Sequence, residues 1–216
     1  MVQDYHYLNG HMVKNNYLLL LIMQLVDKLQ GAKLFTKMDL RWGYNNVCIK
    51  ENDEWKAAFT CFHRSFESLS MYFRLCNLPA TFQAMMNEVF ADMDDIIVVY
   101  INNLMIFTKT ENQAEHNKIV LEVLKKLKEN DIFVKPEKCM FHAIEVDFLG
   151  MIVGHDRIKM DQKKVKAILE WPEPKTVKGV RSFLGLANFY WRFIKDYAKM
   201  ARPLHDLMKK ENPFCW

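Results

Sequence analysis

The feature that most constrains this chain is a polar pair inside a long apolar run, at positions 96–107. Two apolar segments, Ile96–Ile101 and Leu104–Phe107, flank Asn102 and Asn103. Two such runs separated by two residues predict a β-hairpin, and asparagine suits the turn because it tolerates a positive φ. This stretch alone indicates a plain hairpin, so its significance depends on what the rest of the chain places beside it.

Apolar patterns elsewhere predict further strands and helices. We expect strands at Phe35–Leu40, Asn46–Lys50, Trp55–Phe62, Phe133–Lys135 and Val146–Val153, with turns at Trp42–Tyr44 and Arg64–Glu67. We expect helices that begin at Asn77, at a capping box formed by Thr110 and Gln113, at Asp161 and at Thr176. The sum is an α+β fold, in which an antiparallel sheet with packed helices precedes a small, mainly helical unit.

Charge is distributed unevenly along the chain. Residues 1–156 hold 16 Lys and Arg against 20 Asp and Glu, net −4, and residues 157–216 hold 14 against 6, net +8. A basic segment of this kind can follow a phosphate backbone, although a solvated helical surface would have the same composition.

Composition also bears on the compartment. The five cysteines are odd in number, irregularly spaced and lack a CxxC pair, which is typical of reduced thiols. No apolar run is long enough to span a membrane. We therefore expect an intracellular protein without a membrane partner, in either the cytoplasm or the nucleus.

At this point the chain resembles a known family, the reverse transcriptase of gypsy-like LTR retrotransposons of the fungal type. The stretches that carry the resemblance stand in the family's order and at its spacing: Phe35–Asn46, Glu54–Phe59, Pro79–Gln83, Lys135–Cys139, Phe148–Gly150 and Arg181–Tyr190. The resemblance implies part of the fingers and the palm in residues 1–145. It places the primer-binding region, the thumb and the start of the connection in residues 146–216.

The family joins deoxynucleotide triphosphates to a primer on an RNA or DNA template, with two Mg²⁺ ions held by three aspartates. The first aspartate matches Asp39, which the resemblance makes a metal ligand. The other two belong to a Tyr-x-Asp-Asp motif, and here they fall on Asn102 and Asn103. An asparagine keeps a carbonyl oxygen but carries no charge, so we expect weakened Mg²⁺ binding and a catalytically inactive chain.

No sequence motif identifies a neighbouring acidic residue that could replace the lost aspartates. Asp95 lies seven residues before Asn102, roughly 23 Å along a strand and therefore too far away. Glu54 could fold back, but no motif supports it. Two readings stay open beside the inactive relic: a non-catalytic nucleic-acid-binding module, and an active polymerase with an altered metal site.

Other matched positions carry roles that the resemblance implies. Tyr44 corresponds to the aromatic ring under the sugar of the incoming nucleotide, and Gln83 to a glutamine that contacts the nucleotide. Phe148, Leu149 and Gly150 correspond to the region that supports the primer strand. A structural role is the alternative for each: a half-buried aromatic ring, a helix-surface amide and a strand bend.

Several positions depart from the family pattern in one direction. Arginine replaces an expected glycine at 64 and 74, and leucine replaces serine at 78. The family pattern has proline where this chain has Leu18, Leu20 and Ser68, and arginine where it has His6 and Trp191. Each can arise from one cytosine-to-thymine change on one DNA strand or the other. We therefore hypothesise a silenced element decaying by cytosine deamination.

Overall fold

The computed structural model describes residues 4–17, 21–155, 157–209 and 214. The helices in these residues are α1 (His6–His11), α2 (Ile22–Lys28), α3 (Leu78–Val89), α4 (Gln113–Glu129), α5 (Gln162–Leu169), α6 (Val177–Phe189) and α7 (Tyr197–Asp206). The strands are β1 (Leu34–Arg41), β2 (Phe59–Thr60), β3 (Ser65–Phe66), β4 (Ile97–Tyr100), β5 (Asn103–Thr108), β6 (Phe133–Val134), β7 (Met140–Ala143), β8 (Glu145–Phe148), β9 (Met151–Gly154) and β10 (Arg157–Met160). The predicted α+β class is confirmed. No described helix is long and apolar enough to cross a membrane.

Strand β1 is the centre of the main sheet. It pairs antiparallel with β5 along one edge, from Leu34 opposite Thr108 to Asp39 opposite Asn103. Along its other edge it pairs with both β6 and β7, and β4 pairs with the outer edge of β5. The apolar hairpin predicted from the sequence is therefore β4–β5, and it lies directly beside the strand that carries Asp39.

Side chains alternate along each strand, and both faces of this sheet are buried: Phe35, Met105 and Phe107 lie on one face, and a larger cluster lies on the other. Met38 and Leu40 of β1 point to the same face as Leu104 and Ile106 of β5, and all four are buried. Helices α3 and α4 cover that face with buried side chains, which are Leu78, Phe82, Met86, Val120, Val123 and Leu127. Asp39 and Asn103 lie one residue further along their strands and therefore belong to the opposite face.

Two local predictions in this unit are corrected. The hairpin turn consists of Ile101 and Asn102, with Tyr100 paired to Asn103, and Ile101 rather than asparagine takes the positive φ, 55°. Helix α4 is capped by Asn112, whose Oδ1 accepts from the amides of Ala114 and Glu115. The expected capping box is absent because Asn112 sits nearer the first unpaired amides than Thr110 does.

The segment between β1 and α3 is less regular than predicted. Residues 46–50 form a single bridge, Cys48 to Ser70, instead of a strand. The predicted strand at Trp55–Phe62 begins as a 3₁₀ turn, Glu54–Ala57, and only then becomes β2. The predicted turn at Arg64–Glu67 is wrong, because Ser65 and Phe66 form β3, which pairs with β2.

The chain divides into two compact units, 1–146 with 154–156, and 147–153 with 157–216. In the second unit, α5 and α6 begin where predicted, because Asp161 accepts from the Lys163 amide and Thr176 from the Gly179 amide. Val180, Leu184 and Ala201 are the buried centre of the α6–α7 pair. The predicted strand region 146–153, which the sequence indicated to be interrupted at Gly150, forms β8 and β9 with Gly150 in the turn between them.

Candidate functional site

The predicted site residues of the first unit meet at one end of the main sheet. Asp39 and Asn103 are directly paired in the β1–β5 register, which in antiparallel strands places Cα atoms about 4.5–5.5 Å apart. The Leu40 amide donates to the Asn102 carbonyl over 2.8 Å, which ties the turn to the end of β1. The Nδ2 of Asn103 donates to the Oδ1 of Asn102 over 3.3 Å.

The Gln83 side chain forms hydrogen bonds with the backbone of the β4–β5 hairpin. This side chain of α3 is only 5% exposed. Its Nε2 donates to the Val99 carbonyl (3.0 Å) and to Asn87 Oδ1 (2.9 Å), and its Oε1 accepts from the Ile101 amide (3.2 Å). The backbone amide of Ile101, which has a left-handed conformation, needs a hydrogen-bond partner. The buried side-chain amide of Gln83 supplies it. Its predicted contact with a nucleotide stays a prediction.

Asp39 is ion-paired with two lysines that follow β6. Lys135 Nζ lies 3.2 Å from Asp39 Oδ1, and Lys138 Nζ lies 3.8 Å from Oδ2. The Lys135 amide also donates to the Asp39 carbonyl over 2.8 Å, so the backbone fixes the approach. Oδ1 is buried and accepts no hydrogen bond from the described residues, so its interaction with Lys135 is a charge contact.

The donor set of this cluster is poor for a divalent cation. It contains one carboxylate, on Asp39, and two neutral amides, on Asn102 and Asn103. Nowhere in the described residues do three or more His, Cys, Asp or Glu side chains come together as a possible metal site. Mg²⁺ is held in proteins by anionic oxygens in an octahedral arrangement, and a pair of Mg²⁺ ions does not fit the residues present here.

The ring of Tyr44 packs against two other aromatic rings in the same unit. Its ring meets Phe82 edge-on at 5.6 Å between centroids and lies 6.3 Å from Phe73. Burial, and then the nearby Tyr100, raise the pKa of the Tyr44 hydroxyl. Gly43 is required beside it, because a Cβ there would stand 2.9 Å from the Phe82 ring. The ring is half-buried, and its implied role under the sugar of an incoming nucleotide stays a prediction.

The predicted primer-binding residues of the second unit lie at the end of β8 and in the two-residue turn that follows it. Phe148 is fully buried at the end of β8, and Leu149 and Gly150 form the turn with φ values of 54° and 80°. Tyr190, which follows α6, donates from its hydroxyl to the Gly150 carbonyl over 3.3 Å. A Cβ on Gly150 would lie 3.3 Å from that hydroxyl, so glycine suits both the φ and the contact.

A family model described as reverse transcriptase (RNA-dependent DNA polymerase) matches residues 2–153. The chain belongs to this reverse transcriptase family. It is 36% identical over its full length to the Transposon Tf2-7 and Tf2-3 polyproteins of Schizosaccharomyces pombe. It spans only 16% of those polyproteins. The family suggested by the sequence motifs is confirmed.

Solved reverse transcriptases share the fold. A foamy viral protease–reverse transcriptase in complex with double-stranded DNA is 25% identical, with a TM-score of 0.89 over 99% of this chain and 38% of its own. The foamy viral enzyme in complex with an RNA/DNA hybrid is also 25% identical, with a TM-score of 0.84 over 98% of this chain and 28% of its own.

Three features of the first unit were not predicted from the sequence. The lysines at 135 and 138 stand in a stretch that matches the reverse transcriptase family, yet no pattern indicated that they would face Asp39. The buried clamp made by Gln83 was also missed, although the apolar neighbours of Gln83 in α3 could have indicated its burial. A buried His116, between Thr36 and Thr108 beneath β1 and β5, carried no sequence signal.

Proposed function

We propose that this chain is a reverse-transcriptase-family domain that binds nucleic acid and does not polymerise DNA. The observation that carries the proposal is the charge at the end of the β1–β5 pair. One carboxylate, on Asp39, remains where the family motif has three, and two lysines already balance it. Stabilising charge that develops in the transition state is often the largest catalytic term, and this site has lost the ligands for the ions that supply it.

The shape of the site supports descent from a working enzyme. The hairpin, the paired register of Asp39 with Asn103, and the aromatic ring of Tyr44 are all in place. Loss of activity is therefore expected from a change of two side chains, without a change of fold. Asn102 and Asn103 differ from aspartate only in an amide nitrogen, so the turn accommodates either residue.

Primer extension tests this directly. The unmodified chain should incorporate no deoxynucleotide with Mg²⁺ or Mn²⁺ on a primed template. The Asn102→Asp, Asn103→Asp variant should bind Mn²⁺ more tightly, and any extension should appear only in that variant. The matched control is Asn45→Asp, which adds a carboxylate outside the cluster. Incorporation by the unmodified chain, in a preparation free of other polymerases, would overturn the proposal.

Nucleic-acid binding is proposed from the basic C-terminal part of the chain and from the family. The solved relatives were captured with double-stranded DNA and with an RNA/DNA hybrid. Lys163 and Lys164 in α5 are exposed, as is Lys166. Phosphate contacts release counterions, so binding to a primer–template duplex should be weak, independent of sequence and strongly salt-dependent.

Charge reversal tests that binding. Replacing Lys163, Lys164 and Lys166 by glutamate should flatten the dependence of the duplex dissociation constant on salt, measured by fluorescence anisotropy. The control is Lys125→Glu in α4, an exposed lysine that pairs with Glu129 along its own helix. Equal salt slopes in all variants would show that the α5 lysines are a solvated surface.

We further propose that the chain is a relic of a silenced element. The structure supplies one supporting observation: Arg74, where the family pattern has glycine, has a φ of 88°. A side chain in that region costs about 1–2 kcal/mol, so selection for a folded binding module would favour glycine there. Comparing codons with related copies tests the idea, because an excess of transversions at the departing positions would contradict it.

A further inference from the structure

One edge of β1 has two partners, β6 and β7, and regular pairing stops between them. Leu40 is opposite Val134 of β6, and Lys37 is opposite Met140 of β7. Three steps along β1 therefore correspond to six steps along the partner chain. The excess is taken up by residues 135–139, the β6–β7 connection, which contains a 3₁₀ turn. Residues that leave a ladder in this way need other contacts to stay beside the strand.

The Asp39 side chain lies where the pairing stops, and it contacts the β6–β7 connection twice. Lys135, whose Nζ lies 3.2 Å from Asp39 Oδ1, is the first residue of the connection. Lys138, whose Nζ lies 3.8 Å from Oδ2, ends its 3₁₀ turn. The Lys135 amide adds a backbone bond to the Asp39 carbonyl. The carboxylate therefore joins both ends of the turn to β1.

We propose that Asp39 anchors the β6–β7 connection: its carboxylate, paired with Lys135 and Lys138, holds this segment against β1, and no metal ion is needed. The basis is the disagreement between the residues present and a site for two Mg²⁺ ions. The inference rests on the proposed function in one respect, because a bound divalent cation would compete with the lysines for Asp39. It goes beyond that function by giving Asp39 a role in the conformation of the chain.

The two asparagines favour this arrangement. Asn103 is directly paired with Asp39, and the Asn102 carbonyl accepts from the Leu40 amide, so both stand beside the carboxylate. Their side chains are neutral and therefore neither repel Asp39 nor draw the lysines away from it. With aspartate at both positions and no cation, three carboxylates would crowd this end of the sheet, and their mutual repulsion would oppose the pairing.

Burial makes the closer ion pair the stronger of the two. The Asp39 side chain is 14% exposed and the Lys135 side chain 28%. Asp39 Oδ1 is itself buried and accepts no hydrogen bond from the described residues. Loss of the Lys135 charge would leave that oxygen in a sheltered place without its counter-ion, which costs more than loss of a surface pair. Lys138 is 58% exposed, so water screens its charge and its contribution is smaller.

Three backbone amides report whether the β6–β7 connection is closed. The Lys135 amide donates to the Asp39 carbonyl, the Lys138 amide to the Lys135 carbonyl (3.0 Å), and the Cys139 amide to the Pro136 carbonyl (3.1 Å). A hydrogen-bonded amide exchanges its proton with solvent when its segment opens locally. A weaker anchor should therefore speed exchange at these three positions and leave the helices unaffected.

Amide hydrogen exchange on the full chain in EDTA, followed by NMR, tests the inference. Asp39→Asn should raise the exchange rates of the three amides about tenfold, and Lys138→Gln about twofold, because an exposed pair contributes less. Asp53→Asn is the matched control, since it removes an ion pair with Lys56 elsewhere in the first unit. Exchange in α4 is the internal reference and should stay unchanged in all three variants.

Two further measurements keep the test decisive if Asp39→Asn does not fold. Lys135→Gln removes the same ion pair from the other side and should also speed exchange about tenfold. Added salt should speed exchange of the three amides in the unmodified chain, because it screens the ion pairs. Unchanged exchange after Lys135→Gln or Asp39→Asn, or equal acceleration in α4, would overturn the inference.

The anchor and the proposed function fail separately. Primer extension by the unmodified chain would contradict the proposed function, whereas exchange in EDTA would still measure the anchor. Unchanged exchange in the variants would contradict the anchor and leave the expected absence of polymerisation as it stands.

Discussion

The hairpin turns of β4–β5 and β8–β9 each begin at a residue with a positive φ, but they have kept different amounts of family chemistry. The turn of β4–β5 begins at Ile101 (φ 55°), and the turn of β8–β9 begins at Leu149 (φ 54°). Each is held by one side chain near a helix, Gln83 for the first and Tyr190 for the second. The first has lost its acidic residues, whereas the second keeps the Phe-Leu-Gly sequence of the family.

This difference shows that the residues that stabilise a turn need not be the residues that give it a chemical function. The buried amide of Gln83 bonds only to backbone atoms and to Asn87, so it is indifferent to the side chains at the tip. Asn102 and Asn103 can therefore replace charged residues without disturbing the hairpin. In the second turn, Gly150 serves both the shape and the contact with Tyr190, so a change there would affect both.

The largest expected effect is at the clamp of the first turn. Gln83→Leu should lower the free energy of unfolding by about 3 kcal/mol, because it leaves the Val99 carbonyl and the Ile101 amide without partners. Urea denaturation measures the loss. Asn87→Ala is the control, since it removes one of the three Gln83 bonds and an exposed bond from Asn87 Nδ2 to the Tyr17 hydroxyl, and should cost about 1 kcal/mol. Equal losses in the two variants would show that Gln83 does not hold the turn.

Much of this arrangement was predictable, and the limit has a physical cause. The two apolar runs on either side of a polar pair predicted the hairpin, because burial of its strands dictates that pattern. That pattern could not predict that Ile101 rather than asparagine would take the positive φ, since register depends on tertiary bonds such as those of Gln83. The ion pairs of Asp39 also join residues distant in sequence, and no local pattern reports them.

The departures from the family pattern illustrate the same limit. A glycine expected at position 74 implied a positive φ, and Arg74 has one, 88°. At position 64, where the family pattern also has glycine, Arg64 is not among the described residues with a positive φ. A residue type indicates what a position tolerates, and only the neighbouring structure decides what it requires. Leu18 and Leu20 lie outside the described residues.

The second prediction concerns pH and should weaken only the first hairpin. His116 is fully buried, with Nε2 2.8 Å from Thr36 Oγ1 and Nδ1 3.0 Å from Thr108 Oγ1. Burial, and then the nearby His142, lower the pKa of His116 below its ordinary value of 6.5. The unfolded chain therefore takes up this proton first, and stability present above pH 6.5 is lost as the pH falls below it.

Chemical denaturation at several pH values measures this loss. His116→Leu should cost about 2 kcal/mol at neutral pH, because the Thr36 and Thr108 hydroxyls each lose their shortest hydrogen bond, and it should reduce the loss of stability in acid. The exposed His11 offers a control, since His11→Leu should leave that loss unchanged. Strands β8 and β9 contain no histidine, so an equal acid effect on the second hairpin would contradict the assignment to His116.

The third prediction compares the strain in the two turns. Ile101→Gly should stabilise the protein by about 1 kcal/mol, because a β-branched residue is strained at positive φ. Leu149→Gly should stabilise it by about 0.5 kcal/mol, since leucine is unbranched at Cβ and glycine also raises the entropy of the unfolded chain. Thermal unfolding of both variants gives the order. A destabilised Ile101→Gly would mean that the side-chain contacts of Ile101 outweigh its backbone strain.

The smallest effect is expected at the clamp of the second turn. Tyr190→Phe removes a single long hydrogen bond, 3.3 Å to the Gly150 carbonyl, and should cost about 0.5 kcal/mol. Burial, followed by Asp161 and Asp147, raises the pKa of Tyr190, so the variant should also lose a late step in an absorbance titration. Tyr197→Phe is the matched control. The Tyr197 hydroxyl is buried without a hydrogen-bond partner in the described residues, so its removal should be neutral or stabilising. If Tyr197→Phe destabilised the protein more than Tyr190→Phe, the Tyr190 hydrogen bond would not stabilise the turn of β8–β9. Stabilisation by a side-chain hydrogen bond would then be a property of the β4–β5 turn alone of the two.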